Sequence, residues 1–249
     1  MKAMIFAAGL GTRLRPLTDH CPKALVEVGG VPMLERVITH LRECGFDRII
    51  VNVHHYADMV IDFLKKNDFG VEIAVSDERE RLLDTGGAIV KAAGWLDGDE
   101  PFLVHNADIL TDLDLRQMME RHVALGATAT LLTAVRDSSR YLLFDEAGRM
   151  HGWTNVKSGE CLPVGIDPES YSKLAFGGIH VMSPSILKKL AGYGGSDAFP
   201  IVPFYVNCCN ESPIYTYMPK SEYMWFDIGK PATLAAAESY ISARKSDKK

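Results

Sequence analysis

The sequence lacks any long hydrophobic run, since no stretch of about 18 consecutive apolar residues occurs in it. A helix that crosses a membrane is therefore not expected. The apolar N-terminal segment is interrupted at once by glycine and arginine, and it predicts a first β-strand better than it predicts a signal peptide. We expect a cytoplasmic protein that does not bind a membrane.

Cysteine patterns for metal or disulfides are missing as well. The five cysteines are odd in number, and none stands in a CxxC or Cys/His ligand spacing. This indicates reduced thiols in a reducing compartment. An excess of positive charge is also missing, because the net charge is −5. That balance argues against a nucleic-acid surface but permits a small phosphorylated ligand, whose pocket needs only a few cations.

Short apolar runs alternate with amphipathic helical patterns in the first half of the chain. The predicted strands are 3–8, 48–53, 71–75 and 102–105, and the predicted helices are 32–44, 56–66 and 87–94. Such alternation predicts βαβ units, and therefore an α/β fold with a largely parallel sheet. Ligands of these sheets bind beyond the carboxyl ends of the strands, which points to the loops 8–21, 76–87 and 106–108.

The second half is richer in strand patterns. The predicted strands are 129–135, 141–145, 149–153, 174–182, 213–218 and 224–228, and helices are predicted at 115–125 and 231–244. We expect these strands to extend the same sheet, which makes it mixed, and we treat 1–249 as a single domain.

A loop with phosphate-binding chemistry follows the first strand. Gly9 and Gly11 let the backbone approach a ligand closely, and successive N–H groups can cradle phosphate oxygens. Arg13 and Lys23 add positive charge. A dinucleotide fingerprint would need a third glycine where Leu14 stands, and the Walker pattern is absent. The plain alternative is a turn that carries surface arginines.

The pattern around this loop resembles the signature of the sugar nucleotidyltransferases. It reads Gly9-x-Gly11-Thr12-Arg13-Leu14-x-Pro16-x-Thr18 and continues to Pro22-Lys23-Ala24-Leu25. The resemblance extends over essentially the whole chain. It implies a Rossmann-like three-layer sandwich with a mixed, mostly parallel sheet, of the nucleotide-diphospho-sugar transferase type. The nucleotide-binding half would be about 1–125, and the acceptor-binding half about 126–245.

The resemblance also implies roles for individual residues. Arg13 would neutralise the leaving pyrophosphate, and Lys23 would contact the α-phosphate or the incoming sugar phosphate. A second loop, at residues 83–88, would contact the nucleobase, although capping of a helix would also explain it. The implied nucleotide-binding residues are Ala8, Gly9, Gly11, Thr12, Arg13, Lys23, Thr85, Gly86, Gly87 and Asn106.

Two aspartates are candidate ligands of Mg²⁺. Asp108 ends the fourth predicted strand, and Asp227 lies in a late Asp-x-Gly motif that resembles the family's second metal carboxylate. Mg²⁺ favours one or two carboxylates together with phosphate oxygens. Either aspartate alone could instead be a turn or cap residue. The pair Asp112 and Asp114 matches the DxD motif of many glycosyltransferases, but Asp114 is well placed to cap the following helix.

The acceptor site is less distinct in the sequence. Gly178 resembles the family segment whose backbone lies against the sugar ring, although a glycine in a strand also marks a bulge. Asn155 lies where many relatives carry a Glu-Lys pair, which this chain lacks. It is a candidate for binding a sugar hydroxyl or acyl group.

The predicted reaction is Mg²⁺-dependent transfer of a nucleotidyl group from a nucleoside triphosphate to a sugar 1-phosphate. The short chain and the loop at 83–88 favour UTP with N-acetylmuramate 1-phosphate or another hexose 1-phosphate. The alternative pair is GTP with mannose 1-phosphate. Two other classes stay open, a glycosyltransferase that uses Asp112 and Asp114 and a non-catalytic subunit that senses nucleotide sugars. Nothing in the sequence indicates an oligomeric state.

Overall fold

The computed structural model describes residues 1–193, 195 and 197–246, without the side chains of 245 and 246. The strands are β1 (Lys2–Phe6), β2 (Glu27–Val28), β3 (Val31–Pro32), β4 (Arg48–Val53), β5 (Glu72–Asp77), β6 (Phe102–Asn106), β7 (Ile109–Thr111), β8 (Ala129–Ala134), β9 (Arg140–Phe144), β10 (Met150–Asn155), β11 (Glu160–Leu162), β12 (Ser172–Met182), β13 (Ile214–Tyr217) and β14 (Trp225–Asp227). The α-helices are α1 (Met33–Glu43), α2 (Ala57–Lys66), α3 (Asp84–Lys91), α4 (Ala93–Leu96), α5 (Leu115–Ala124), α6 (Ile186–Ala191), α7 (Ile201–Cys208) and α8 (Pro231–Ser246). Among the described helices, none has both the length and the apolar character needed to cross a membrane.

The chain forms two compact units that interleave along the sequence. Unit 1 contains Met1–Leu82, His105–Leu115 and the chain from Ser221 onwards, and unit 2 contains Leu83–Val104 and Arg116–Lys220. These units do not coincide with the sequence halves 1–125 and 126–245. The assignment of residues 1–249 to a single domain stays a prediction.

Unit 1 is built on parallel strands. β1 pairs in parallel with β4, and β4 pairs in parallel with β5, while the end of β6 lies beside β1. The residues of β1 and β4 are almost entirely buried, which explains why both appear in the sequence as continuous apolar runs. A second, antiparallel pair joins β7 to β14, with Asp227 opposite Ile109. This pair brings the late Asp-x-Gly motif beside the chain that follows β6.

Unit 2 is mainly antiparallel. The order is β11-β10-β9-β12, β12 also pairs with β8 and adjoins the start of β6, and β13 pairs in parallel with β8. A tight turn joins β9 to β10, in which the Asp145 amide donates to the carbonyl of Arg149 and Gly148 has a φ of 80°. A hairpin turn therefore spans Glu146 to Gly148.

Most predicted elements agree with the structure within one or two residues, and the α/β class is confirmed. The helix predicted at 87–94 is the main correction, because α3 begins three residues earlier, at Asp84, and a separate α4 follows it. Leu83, and not Asp84 or Thr85, is the N-cap residue. Asp84 instead has a positive φ of 57° and accepts a hydrogen bond from the Thr85 amide.

Candidate active site

A buried polar network lies where the glycine-containing loop, residues 8–21, follows β1. The Ala7 amide donates to Asn52 Oδ1 over 2.8 Å, and Asn52 Nδ2 donates to Glu78 Oε1 over 2.9 Å. Asn52 and Glu78 are 3% and 1% exposed. Because the Asn52 amide is oriented by Glu78, its oxygen is held toward Ala7, and the start of the loop is fixed by strands β4 and β5.

The loop itself turns at Gly11, which has a φ of 67°. A methyl group on Gly11 would lie 2.8 Å from Thr18 Cγ2, and the Thr18 hydroxyl donates to the Gly11 carbonyl over 2.8 Å. Both the conformation and the space therefore require glycine at this position. Gly9 has open space around its Cα, and Thr12 and Arg13 are exposed. Exposed backbone beside an arginine suits an anionic ligand.

Lys23 and Asp108 form an ion pair in unit 1. The Lys23 ammonium donates to Asp108 Oδ2, and the two side chains are only 15% and 17% exposed. The Ile228 amide donates to the carbonyl of Asp108 over 2.9 Å, which continues the pairing of β7 and β14. This backbone bond places Asp227 on the strand beside Asp108.

Three charged side chains meet at Gly229. A methyl group on Gly229 would lie 2.7 Å from Arg13 Nη2, 2.8 Å from Asp227 Oδ1 and 3.1 Å from Lys23 Nζ. The Gly229 amide also donates to Asp227 Oδ1 over 2.8 Å. Unit 1 thus brings together the four charged residues that the sequence marks as candidates, two cations and two carboxylates.

A neutral histidine lies in β6, three residues before Asp108 in the sequence. His105 is fully buried in β6, and burial lowers its pKa to about 3. Its Nδ1 lies 2.8 Å from the carbonyl oxygen of Asn106, which can only accept, so Nδ1 carries the proton. We find no hydrogen bond of the Asn106 side chain among the described residues, and the nucleotide contacts assigned to Ala8 and Asn106 stay predictions.

The second predicted loop lies in unit 2, where its glycines serve chain packing. A methyl group on Gly87 would lie 1.9 Å from the carbonyl oxygen of Asp197, and one on Gly86 would lie 2.2 Å from the ring of Phe199. The Thr85 hydroxyl accepts from the Ile201 amide over 2.8 Å. These contacts explain the glycines without a ligand, and the nucleobase contact stays a prediction.

The two acceptor candidates also lie in unit 2. Asn155 ends β10 and lines a cavity of about 610 Å³. Gly178 has a φ of 75° and lies where the pairing of β12 with β8 is irregular, between Phe176 and His180. The structural role considered for Gly178, a bulge, is therefore present, and its contact with a sugar stays a prediction.

Asp112, from the alternative DxD pair, and the histidine His54 both have structural partners in unit 1. Asp112 accepts from the Met224 amide over 2.6 Å and pairs with Arg244 over 3.2 Å. His54 Nδ1 lies 2.7 Å from the carbonyl oxygen of Glu78. Within the described ranges, no three His, Cys, Asp or Glu side chains form a group that could hold a metal. These contacts weaken the case for a glycosyltransferase that binds metal through Asp112.

Sequence reasoning missed two residues that shape the site and the contacts of a third. Asn52 lies near the end of β4 and Glu78 directly follows β5. A polar residue at such a place is a signal that could have marked each of them as the partner of a loop. Gly229 follows Asp227 by two residues, and a larger residue at this position would crowd the side chains around it. Nothing local in the sequence predicts that last contact.

Comparison with known proteins places this geometry in a family. The family model described as nucleotidyl transferase matches residues 2–244. N-acetylmuramate alpha-1-phosphate uridylyltransferase of Caulobacter vibrioides is 30% identical over 250 residues, which cover 96% of each chain. Mannose-1-phosphate guanyltransferase of Schizosaccharomyces pombe is 31% identical over 253 residues, which cover 100% of this chain and 66% of that protein. The crystal structure of HddC from Yersinia pseudotuberculosis complexed with GMP-PN has a TM-score of 0.75 and 23% identity, and covers 96% of this chain and 99% of that one.

The chain belongs to the nucleotidyl transferase family. The resemblance to the sugar-1-phosphate nucleotidyltransferases is thereby confirmed, and with it the enzyme class and the Rossmann-like fold.

Proposed function

We propose that the protein transfers the uridylyl group of UTP to N-acetylmuramate 1-phosphate or a related hexose 1-phosphate, with Mg²⁺ as cofactor and pyrophosphate as the second product. The observation that supports this most is the convergence of Arg13, Lys23 and Asp227 at Gly229, together with the pairing of Lys23 and Asp108. Two cations and two carboxylates in one place suit a reaction between two phosphate groups.

The chemistry needs no covalent intermediate. The sugar phosphate is already ionised and can attack the α-phosphorus in line with the departing pyrophosphate, so positioning and charge neutralisation supply most of the rate. The exposed backbone of the loop from Gly9 would hold phosphate oxygens. Arg13 would neutralise the leaving pyrophosphate, and Lys23 would stabilise charge at the reacting phosphates.

The two carboxylates fit a magnesium site. Asp108 and Asp227 lie on neighbouring segments joined by the Ile228 amide, and each is partly accessible. Hard carboxylate oxygens are the ligands that Mg²⁺ prefers, with phosphate oxygens completing its shell. The ion would supply Lewis-acid polarisation and a template for the phosphates. Asp108 and Asp227 would hold it.

The choice of UTP and an N-acetylated acceptor rests on a relative that matches almost the full length of both chains. The uridylyltransferase of Caulobacter vibrioides matches 96% of both chains. The fungal guanyltransferase matches all of this chain but only 66% of its own length. GTP with mannose 1-phosphate is therefore the second candidate pair.

Pyrophosphate release tests the proposal directly. UTP, GTP, dTTP, CTP and ATP would each be combined with N-acetylmuramate, N-acetylglucosamine, glucose and mannose 1-phosphates, with Mg²⁺ present. We expect the highest kcat/KM with UTP and N-acetylmuramate 1-phosphate, no turnover after chelation with EDTA, and recovery when Mg²⁺ is restored. Highest activity with GTP and mannose 1-phosphate would select the second pair. Release that persists in EDTA would contradict the magnesium site.

A further inference from the structure

Unit 2 contains a cavity of about 610 Å³, a size typical of small-molecule sites. One wall is the antiparallel sheet of β9, β10 and β11, and the other includes helix α7. Both walls belong to unit 2. The residue types that line the sheet wall indicate the chemistry of the ligand.

The sheet wall carries two cross-strand rows. One row is polar and contains Arg140 of β9, Asn155 of β10 and Glu160 of β11, which are paired across the strands. The next row, two residues along, is apolar and contains Leu142, Trp153 and Leu162. Directly opposed residues share a face of the sheet, and so do residues two apart. All six line the cavity. The ligand therefore meets a polar row beside an apolar row.

The opposite wall of the cavity is apolar. Val202, Pro203 and Val206 of α7 line it. A ligand held between this wall and Trp153 would pack an apolar surface, such as a sugar ring face or an acyl methyl group, against both. Its polar substituents would face the row of Arg140, Asn155 and Glu160.

The charges in the polar row do not neutralise each other. Arg140 and Glu160 are separated by two strand spacings, roughly 10 Å between their backbones. No ion pair within the described ranges involves either side chain. Arg136 also lines the cavity and donates to the carbonyl of Phe176. The cavity is thus lined by two arginines and one glutamate, and Arg140 is an exposed residue.

We infer that this cavity selects an acceptor whose sugar carries an acidic substituent, and that Arg140 is the residue that recognises the acid. The inference rests on the proposed function. A guanidinium binds a carboxylate through two parallel, charge-assisted N–H bonds, whereas a neutral sugar offers no negative charge to either bond. Asn155 can both donate and accept, and Glu160 can accept from a hydroxyl or an amide N–H.

A matched pair of acceptors tests the role of Arg140. N-acetylmuramate 1-phosphate and N-acetylglucosamine 1-phosphate share the ring and the N-acetyl group, and only the first carries a carboxylate. We would measure kcat/KM for both with UTP, and their binding by calorimetry, in the wild type, Arg140→Gln and Arg140→Lys. Arg121→Gln, at an exposed site on α5, is the matched control. Thermal melting would show that each variant folds.

We expect the wild type to prefer the acidic acceptor. In Arg140→Gln the ratio of the two kcat/KM values should fall by roughly 10- to 100-fold, the loss typical of one charge-assisted hydrogen bond. Arg140→Lys should keep part of the preference, and Arg121→Gln should keep all of it. An unchanged ratio in Arg140→Gln, or a wild-type preference for a neutral acceptor, would overturn the inference.

The binding measurement separates this inference from the proposed function. If no nucleotide and acceptor pair releases pyrophosphate while binding favours the acidic sugar and Arg140→Gln abolishes that selectivity, the inference stands and the proposed reaction fails. If neutral sugars are turned over and the acidic sugar does not bind more tightly, the proposed reaction stands and the inference fails.

Discussion

Lys23 Nζ and Asp108 Oδ2 form an ion pair in unit 1, with both side chains less than one-fifth exposed. Separating a partly buried ion pair costs free energy, because the remaining charge is then buried without a partner. A phosphate ligand and a divalent cation could each replace one member of the pair. The pairing therefore keeps both groups in place before the substrates bind.

Removal of either member should abolish most activity. We expect Lys23→Ala and Asp108→Asn each to lower kcat by at least about 10²-fold, the loss typical of one preorganised charged group. Pyrophosphate release with saturating substrates is the measurement. Lys66→Ala, an exposed lysine at the end of α2, is the control and should retain full activity. Near-normal turnover in Lys23→Ala would contradict the role assigned to Lys23.

A methyl group at Gly229 should affect activity more than stability. It would meet the flexible ends of Arg13 and Asp227, at 2.7 and 2.8 Å, rather than rigid backbone. These ends can move aside, so the fold should tolerate Gly229→Ala, but the site geometry should not. We expect a loss of kcat/KM of roughly 10²-fold, as for small displacements of reacting groups.

The control for Gly229→Ala is Gly94→Ala, where a methyl group would meet nothing within 4 Å. Thermal melting and pyrophosphate release would be measured on both variants. A Gly229→Ala protein that melts far below the wild type, or one with normal kcat/KM, would contradict the expectation.

The network of Ala7, Asn52 and Glu78 should set the affinity for the nucleotide. In Asn52→Asp the side chain can no longer donate to Glu78, and two carboxylates then face each other in a buried place. We expect a loss of about 1–3 kcal/mol in the free energy of unfolding and a higher KM for the nucleoside triphosphate.

A second substitution should rescue the first. Glu78→Gln provides an amide that can donate to one oxygen of the aspartate introduced at position 52. The other oxygen of that aspartate can still accept from the Ala7 amide. The double variant should therefore recover stability and KM relative to Asn52→Asp alone, which a double-mutant cycle would quantify. Strict additivity of the two single changes would contradict the network.

Local patterns made much of the fold and site predictable. β4 agrees with its prediction at both ends, because a strand buried on both faces is a continuous apolar run. The charged candidates of the site lie in motifs of a few residues each, which can be recognised in the sequence alone: Arg13, Lys23, Asp108 and Asp227. Helix α7 was missed because Ile201–Cys208 is apolar on almost all sides and contains Pro203, which hides the helical period.

Contacts between distant segments could not be predicted in the same way. The bond between Asn52 and Glu78 depends on the register of β4 and β5, and the crowding of Gly229 depends on the loop that carries Arg13. The row of Arg140, Asn155 and Glu160 likewise requires the pairing of three strands, of which β11 was not predicted. Each of these features arises from tertiary structure.

Acid should destabilise the protein through His122. This side chain is 2% exposed, with Thr130 Oγ1 and Ser183 Oγ each 2.9 Å from a ring nitrogen, and burial lowers its pKa to about 4. An unfolded histidine has a pKa near 6.5. Between these pH values the unfolded chain binds more protons than the folded one, so the free energy of unfolding falls as the pH falls, by roughly 1 kcal/mol per pH unit for this group.

Urea unfolding at a series of pH values from 7 to 4.5 would measure that slope. In His122→Gln the slope between pH 6 and 5 should be smaller than in the wild type by about 1 kcal/mol per pH unit, whatever the change in stability at pH 7. His20→Gln, at an exposed position, should leave the slope as it is. Equal slopes in the wild type and His122→Gln would mean that His122 is protonated in the folded protein, with both ring nitrogens donating to the hydroxyl oxygens of Thr130 and Ser183.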